Sequence, residues 1–593
     1  MEVNKRSLWL AAIFLLVGLA YLGVTELFGG DSPEEAPAPQ ESASTEGTTG
    51  TEGARPAADT AARRARDARL ETATITGEGF VATVDNLGGG VRQHHLTGDP
   101  RFADEAGEPV NMRAETPREQ YAALRTHFER LGVPDDAVWD IEQVSPSEVR
   151  LSWEGESLRI ERTLRAGDGP YQIWQEIALT NTGSRPKRTR LGVSVYHYVQ
   201  HAEESGGFLG FGSRSPKISN GACAFGDETE RVMREDLAPE GEPPVPHGYG
   251  NGNVRFAAVE DIYFAQVVAA DEDTPAQRCS LWGQNLGSPP EGTLIEGRLV
   301  YPWQTVEPGA TARWRNLGYL GPKIPAALEA AGHGLPEIVD LGFFALIASQ
   351  LGRLLSFIHQ YVPNWGWAII LLTLLIRTVL FPLTNLSFKS MARMRQLKPE
   401  MDRINEIYKD NAEKKGAAIM ELYRKQKINP LSGCLPMVLQ LPIWWALYTS
   451  LSTNIELYHM PFTAWWTDLS SPDPYFVLPL ALGALMHLQQ RLTPTTMDPA
   501  QAKMMMWFMP IMITVFMLFL PSGLCLYMLT NSALGIGQQK LNEWRLSREP
   551  VPQTTAATEP QDAEADGGDD PEPSSSNDPR RLKRKRVRRT RRG

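Results

Sequence analysis

The sequence lacks acidic residues where it is most apolar. Arg377 is the thirteenth of the nineteen residues in segment 365–383, which contains no Asp or Glu. A charge at that depth in a bilayer costs about 3 kcal/mol. The other long apolar segments of the second half, also without acids, are 434–451, 475–490, 503–520 and 523–539. Unless a loop supplies an acid, Arg377 either snorkels to the interface or lies in a hydrated recess.

The sequence also has few cysteines and lacks the motifs that bind metals or nucleotides. Four cysteines in 593 residues do not make a disulfide scaffold, and no CxxC or HExxH motif predicts a metal site. Cys223 and Cys279 lie outside the apolar segments, and their spacing leaves a bond between them open. The glycine-rich segment 207–212 lacks the Lys-Ser/Thr of a phosphate-binding loop. His487 is the histidine of the apolar segments of the second half, and these segments contain no acid that could act with it in catalysis, so we expect no enzyme activity. From the absent motifs we expect no metal, cofactor or nucleotide.

The first long apolar segment, 8–28, predicts an N-terminal membrane anchor, because about 20 apolar residues cross a bilayer. Lys5 and Arg6 precede it and place the N-terminus in the cytoplasm. A cleaved signal peptide is the alternative, but it would have a shorter apolar core and a small-x-small cleavage site. We therefore assign residues 1–28 to an uncleaved anchor.

Five apolar segments in the second half predict five further spans, with a tight turn at 520–523 between the last two. The loop 386–433 carries eleven Lys or Arg, whereas the loop 452–474 carries none. Short positively charged loops stay in the cytoplasm. The prediction is six spans with both termini cytoplasmic, residues 29–338 on the far side, and a membrane core at 362–545.

The region between the first two predicted spans has two parts that differ in composition and sequence pattern. Residues 29–69 are rich in Pro, Glu, Ser and Thr and predict a disordered linker. Residues 70–325 contain short alternating runs such as "VRLSWEG" and "YQIWQEIALTNTG", separated by Gly, Pro, Asn and Asp. This pattern is typical of antiparallel strands and predicts a large β-sandwich. A single helix is expected near 117–132.

Amphipathic and basic segments flank the membrane core. Residues 339–361 have apolar side chains at helical spacing and predict a helix at the membrane interface, with a core helix of the sandwich as the alternative. Residues 386–430 predict a basic, Met-rich helical hairpin in the cytoplasm. The tail 546–593 is expected to be disordered, and its end, 580–592, has ten basic residues in thirteen. The charge of this end predicts binding to anionic lipid headgroups or to ribosomal RNA, and the sequence does not decide between the two.

Polar side chains in the predicted spans favour a hydrated recess around Arg377. Thr373 lies one turn before it on the same helix face, and Gln440, Tyr527 and Asn531 lie in other spans. Each of these polar residues alone also fits ordinary hydrogen bonding between helices. Together with an unpaired arginine they indicate a recess that is open to the cytoplasm and attracts anions. An anion transporter is the alternative function, but the sequence has no internal repeat.

Several long motifs resemble the YidC/Oxa/Alb family of membrane protein insertases, in its Gram-negative type with a large periplasmic domain. They include "NWGWAIILLTLLIRTVLFPLT", "KINPLSGCLPMVLQLPIWWALY" and "MPIMITVFMLFLPSGLCLYMLTN", and the resemblance is dense over 339–545. It implies a bacterial inner-membrane protein that inserts and folds nascent membrane proteins, alone or with the Sec translocon. It also implies an α-helical polytopic fold, with a five-helix core plus the anchor, and a periplasmic antiparallel β-supersandwich.

The resemblance implies roles for the polar residues. Arg377 stands where the family has its groove arginine, which is thought to hold acidic or polar segments of an incoming chain. Thr373, Gln440 and Tyr527 stand at positions that face this groove. The groove is expected to be open to the cytoplasm and to lipid, and closed on the periplasmic side.

The resemblance also implies an apolar slide toward lipid and a set of partners. Met506, Met509 and Met528 are the candidates for the slide. Met528 departs from many relatives, which have a second Tyr there, so an aromatic substrate contact is not expected at this position. The expected partners are nascent membrane proteins, the Sec translocon, anionic lipids, and the ribosome through 580–592 and the hairpin 386–430.

Overall fold

A computed structural model describes residues 70–103, 107–112, 121–134, 137–200, 220–239, 245–287, 291–409, 411–426, 431–492 and 499–548. The predicted anchor 1–28 and linker 29–69 lie outside these residues, as does nearly all of the tail. The chain divides into two compact units, Met1–Asn542 and Glu543–Gly593, and the described residues of the second only complete the last helix.

The N-terminal part of the described chain is built from strands, as the alternating pattern predicts. In β7, for example, Leu158, Ile160 and Leu164 are buried, while Arg159 and Glu161 between them are exposed. The strands are β1 Thr72–Gly77, β2 Phe80–Asp85, β3 Val91–Leu96, β4 Arg125–Phe128, β5 Asp140–Ser145, β6 Glu148–Gly155, β7 Leu158–Ala166, β8 Gln172–Asn181, β9 Lys187–Thr189, β10 Leu191–Gln200, β11 Asn220–Phe225, β12 Glu228–Met233, β13 His247–Tyr249, β14 Val254–Glu260, β15 Phe264–Ala270, β16 Arg278–Leu286, β17 Gly292–Val300, β18 Gln304–Val306 and β19 Thr311–Pro322.

These strands form an antiparallel β-sandwich, which confirms the predicted fold of this domain. The nine-stranded sheet has the order β12-β11-β14-β15-β19-β8-β7-β6-β5, and the five-stranded sheet has the order β13-β16-β17-β10-β4. Their inner faces meet closely: a Cβ added at Gly297 of β17 would lie 2.8 Å from the Ala258 carbonyl oxygen of β14. A three-stranded sheet, β1-β2-β3, and the pair β18-β9 complete the domain.

A disulfide joins Cys223 of β11 to Cys279 of β16, with 5.9 Å between their Cα atoms. It links the nine-stranded sheet to the five-stranded sheet across the sandwich core, where both residues are fully buried. The spacing of the two cysteines had left this pairing open.

The helix expected near 117–132 is wrong for the described residues of that range. Residues 125–128 form strand β4, which pairs with β10 so that Phe128 lies opposite Leu191. Leu124 and Phe128 are buried in the sandwich core. Helix propensities differ by a few tenths of a kcal/mol per residue, so strand pairing and burial outweigh them here.

Ten helices lie among the described residues, nine of them after the sandwich strands. They are α1 Arg234–Leu237, α2 Pro325–Ala331, α3 Ala345–Tyr361, α4 Trp365–Gln396, α5 Lys398–Ile407, α6 Ala412–Lys425, α7 Leu431–Ser452, α8 Val477–Leu492, α9 Pro499–Met517 and α10 Ser522–Arg548. The break predicted at 520–523 is confirmed, since α9 ends at Met517 and α10 begins at Ser522. The predicted span 365–383 and the start of the predicted hairpin 386–430 form one helix of 32 residues, α4.

The six-span count stays a prediction. Among the described residues, one helical segment, Trp365–Phe388, is long and apolar enough to cross a membrane by length and composition, and Lys503–Met517 is a shorter apolar helix. Helix α3 packs against α7 and α4, and its buried Leu355 belongs to the apolar cluster of these helices rather than to the sandwich core. Leu346 and Tyr361 of this helix are exposed, as is Phe343 just before it.

The loop that joins α7 to α8 packs onto the β-sandwich domain. Ile455 is buried within the sandwich core, and the Tyr458 ring lies 5.5 Å from that of Phe264, edge to face. His459 Nδ1 donates a hydrogen bond to the Arg101 carbonyl (3.1 Å). The helix ends beside this loop therefore face the sandwich, and the opposite ends face the hairpin of α5 and α6.

Candidate functional site

Arg377 lies near the middle of α4 and is held by α10. Its Nε donates to the Asn531 side-chain oxygen (2.7 Å), and its Nη2 donates to the Asn531 carbonyl (2.9 Å). The structure thus brings together two of the residues singled out from the sequence. Within the described part of the chain, no carboxylate forms an ion pair with Arg377. The charge is stabilised by an amide and a carbonyl, which are polar but uncharged.

Two further predicted residues lie next to this pair. Tyr527 is one helical turn before Asn531 on α10 and is buried. Gln440 of α7 points its amide toward the Tyr527 hydroxyl at 3.5 Å, the outer limit of a hydrogen bond. Thr373 is also buried, but its hydroxyl donates to the Ile369 carbonyl of its own helix (2.7 Å) and is thereby satisfied locally.

Two residues that the sequence analysis missed complete the surroundings of Arg377. A Cβ added at Gly535 would lie 3.3 Å from Arg377 Nη2 and 3.4 Å from Gln489 Nε2, so both side chains lie against this glycine. Gly535 is one turn after Asn531, on the same face of α10. The signals available in the sequence were the pair Gln489–Gln490 at the end of an apolar segment and the glycine within a helix. We call Arg377, Asn531, Gln489 and Gly535 the Arg377 cluster.

Buried polar side chains continue from the Arg377 cluster toward the hairpin side. The Gln538 amide donates to the Thr384 hydroxyl, and the Gln539 amide donates to the Leu492 carbonyl (2.6 Å). Asn542 is buried, and its amide has no hydrogen-bond partner among the described residues. These positions share one feature: each lies on the half of its helix that is remote from the sandwich.

The other half of the same helices is packed with apolar side chains. This apolar cluster lies at the start of α4, the end of α7, the start of α8, the end of α9 and the start of α10. Its buried members include Trp365, Ala368, Ile369, Leu372, Leu447, Leu451, Leu478, Leu482, Met517 and Leu524. Burial of such side chains contributes about 25 cal/mol per Å², so this half is closed by packing.

The three methionines singled out from the sequence have different surroundings. Met509 is exposed on α9, beside exposed Phe508 and Met512. Met506 is half-buried, and its carbonyl accepts a hydrogen bond from His487 Nδ1 (3.1 Å). Met528 packs against the apolar cluster, and the Trp444 indole donates to its sulfur (3.0 Å).

Taken together, these features define a class of protein: a helical membrane protein with a large β-sandwich domain docked on one side. Among its helices lies a cation that forms no ion pair with a carboxylate of the described residues. Two family models divide the described chain between them. The model described as the YidC periplasmic domain matches residues 72–354, and the model described as the 60Kd inner membrane protein matches residues 357–548.

Similar proteins extend over most of the chain. A membrane protein insertase YidC of Anaeromyxobacter dehalogenans is 36% identical over 81% of this chain and 86% of its own. The YidC insertase of Citrifermentans bemidjiense is 33% identical over 79% of this chain and 84% of its own. A solved active YidC insertase, with its first transmembrane domain resolved, is 18% identical, with a TM-score of 0.33 over 79% of this chain and 93% of that one.

The chain belongs to the YidC family of membrane protein insertases. Its homologues are inner-membrane proteins with a periplasmic domain, and the family is not enzymatic. The sandwich is therefore the periplasmic domain, and nascent membrane proteins are the substrate class of the family.

Proposed function

We propose that this protein inserts and folds inner-membrane proteins through a hydrophilic groove centred on Arg377 and open to the cytoplasm. The observation that supports the proposal is the division of the helices into two halves. Next to the periplasmic domain they carry the apolar cluster. Arg377 and Asn531 lie beyond it, toward the middle of α4 and α10, and Gln538 lies in the remote half of α10. A groove that is open at one end and closed at the other needs this distribution.

Such a groove lowers the cost of moving a polar segment through hydrocarbon. Unsatisfied polar groups cost several kcal/mol each in a bilayer core of about 30 Å. A groove lined by polar side chains that extends partway across the bilayer shortens the length of hydrocarbon that a polar segment must cross. The apolar segments of the substrate then leave toward lipid along the exposed side of α9, where Met509 lies, with Met506 and Met528 as inner contacts.

Arg377 would hold the acidic part of an incoming segment. A guanidinium has five N–H donors, and Asn531 accepts from two of them, so three remain for a carboxylate. Because no carboxylate of the described residues pairs with Arg377, the substrate would supply the missing charge. Release follows when the apolar residues of the substrate partition into lipid, and no nucleotide is needed.

The proposed topology has six spans and both termini in the cytoplasm. The anchor 1–28 would provide the first span, and α4, α7, α8, α9 and α10 would provide the other five. Helix α3 would lie at the periplasmic interface, with Phe343, Leu346 and Tyr361 toward lipid. The hairpin of α5 and α6 and the basic end 580–592 would meet ribosomes or anionic lipids, and the Sec translocon is a further proposed partner.

The test is reconstituted insertion of a small substrate whose translocated segment is acidic. Arg377→Gln should slow its insertion about tenfold or more, because a charge-assisted hydrogen bond contributes about 1.5–3 kcal/mol. Arg377→Lys should retain part of the activity. Arg353→Gln, at an exposed arginine of α3, is the matched control and should leave the rate unchanged.

A second substrate makes the test specific to charge. The same substrate with Asn and Gln in place of Asp and Glu should be inserted at similar rates by the native protein and by Arg377→Gln. Full insertion of the acidic substrate by Arg377→Gln would overturn the proposed role of the charge.

A further inference from the structure

The outer face of the five-stranded sheet carries a trough that the groove does not involve. The cavity has a volume of about 190 Å³ and reaches all five strands β13, β16, β17, β10 and β4. Its lining residues are His127, Glu129, Arg190, Gly192, Pro246, Gly248, Arg278, Ser280, Arg298 and Val300. We call this feature the arginine trough.

Strand register explains why these residues share one face. His127 lies opposite Gly192, Gly192 opposite Val300, and Val300 opposite Arg278, so four strands contribute one continuous row. The next row on the same face, two residues along, includes Arg298, Ser280 and Gly248. At about 4.8 Å between strands, the five strands span roughly 19 Å, or about six residues of extended polypeptide.

Gly192 and Gly248 line the bottom of the trough, and the side chains of Arg298 and Arg278 pack directly against them. A Cβ added at Gly248 would lie 2.7 Å from Arg278 Nε, and one added at Gly192 would lie 3.2 Å from Arg298 Cδ. A larger side chain at Gly248 would lift the Arg278 guanidinium out of the trough.

The trough carries an excess of positive charge. Arg298 pairs with Glu296 (2.7 Å), and Arg190 pairs with Glu129 (2.7 Å). Arg278 is exposed, and no carboxylate of the described residues forms an ion pair with it. The charge of the trough is therefore opposite in sign to the net charge of the chain, which is -11.

Further arginines extend the positive surface at one end. Arg190 lies over the Trp303 ring at 4.8 Å, and Arg130 and Arg188 lie over the same ring at 4.7 and 5.1 Å. Three guanidinium groups around one indole repel one another, and a bound anion would relieve that repulsion. A guanidinium stacked on a ring also keeps its N–H edge available for a carboxylate.

We propose that the arginine trough binds acidic, extended polypeptide segments on the periplasmic side. A volume of 190 Å³ holds about six waters at roughly 30 Å³ each, which suits one or two carboxylate side chains of a chain lying across the strands. A flat lipid headgroup layer fits less well, because the side chains of Arg190 and Arg298 are only 29% and 34% exposed and lie below the rim. The site does not depend on the Arg377 groove.

The test is the binding of a dye-labelled hexapeptide of alternating Glu and Ser to the full-length protein in nanodiscs of zwitterionic lipid, measured by fluorescence anisotropy. Arg278→Gln should raise the Kd about tenfold, as expected for loss of one charge-assisted hydrogen bond. Arg150→Gln, an exposed arginine on the nine-stranded sheet, should leave the Kd unchanged. Added salt should weaken binding to the native protein.

Two outcomes would overturn the proposal. One is equal binding of a hexapeptide of alternating Gln and Ser, or equal binding of the Glu peptide to the native protein and Arg278→Gln. The other is binding of phosphatidylglycerol vesicles that depends on Arg278 when the Glu peptide does not bind, which would assign the trough to lipid. Arg377→Gln should bind the Glu peptide normally, so failure of the insertase mechanism and failure of this proposal are distinguishable.

Discussion

His94 is a histidine that the periplasmic domain holds uncharged. It is buried on β3, and its ring stacks on that of Phe80 with 4.7 Å between centroids. Burial lowers the pKa of His94 from 6.5 to about 3, because the charged imidazole loses its solvation. The residue therefore contributes to stability only while it stays neutral.

We expect the periplasmic domain to lose stability in mild acid through His94. The folded-state pKa lies below the unfolded value, so the contribution is complete above pH 6.5 and falls by about 1.4 kcal/mol per pH unit as the pH decreases toward 3. Thermal melts at pH 7.5 and 5.0, followed by near-UV circular dichroism, should show a smaller shift for His94→Phe. His95→Gln, at the half-buried neighbour, is the control, and an equal shift in His94→Phe would contradict the prediction.

Gly535 offers a test of the Arg377 cluster that leaves its charge in place. A side chain at Gly535 meets Arg377 Nη2 and Gln489, whereas a Cβ at Gly537 has no neighbour within 4 Å. Both glycines lie in α10, so Gly535→Leu and Gly537→Leu change helix propensity alike. We expect Gly535→Leu to slow insertion of an acidic substrate severalfold and Gly537→Leu to leave the rate near that of the native protein. Equal rates for the two variants would count against the cluster.

At the scale of elements, the sandwich depends on contacts between its two large sheets. Strands β11 and β16 belong to different sheets, and the disulfide between Cys223 and Cys279 joins them across a separation of 56 residues. Strand pairing holds each sheet together, and core packing and this bond help to hold one sheet to the other.

Removing the disulfide should lower the free energy of unfolding of the periplasmic domain by about 2–4 kcal/mol. Urea unfolding of the double variant Cys223→Ala/Cys279→Ala measures the loss. Reduction of the native protein removes the bond without changing side-chain volume and should produce most of the same shift. A midpoint that does not change on reduction would show that packing alone holds the sheets together.

At the scale of the whole molecule, the loop between α7 and α8 couples the membrane helices to the sandwich. Its Ile455 completes the sandwich core, and Tyr458 contacts Tyr263 and Phe264 with ring centroids 5.1 and 5.5 Å apart. Burial raises the pKa of the Tyr263 hydroxyl, with Asp468 of the same loop adding to the effect. The periplasmic domain is thus packed onto the membrane part rather than merely tethered to it.

Tyr458→Ala should loosen this docking at a cost of about 2 kcal/mol, because it removes a half-buried aromatic side chain. Hydrogen exchange should become faster at residues 261–264 and 455–459 while strands β7 and β8 stay protected. Tyr475→Ala, at an exposed tyrosine before α8, is the matched control. Unchanged exchange in Tyr458→Ala would show that Ile455 alone suffices.

Local patterns in the chain were enough to predict the sandwich and the tight turn before α10, because alternation and helix-breaking residues act over a few positions. Local patterns did not predict the strand at 125–128, because pairing with β10 selects a strand that the local sequence does not favour. Gln489 and Gly535 were missed for a related reason. A glycine contacts Arg377 only when two helices cross at that point, and no local pattern records the crossing.

The sequence by itself determines several properties: an arginine lies within an apolar segment, the other apolar segments of the second half contain no acid, and one region has the alternating pattern of strands. They follow because charge and hydrophobic periodicity are carried by the chain itself. Folding decides which groups meet: Asn531 rather than a carboxylate beside Arg377, Cys223 beside Cys279, and arginines from separate strands in one trough. The two cysteines are 56 positions apart in the chain, and Arg377 and Asn531 are 154 apart. Only the packing of whole elements brings such distant positions together.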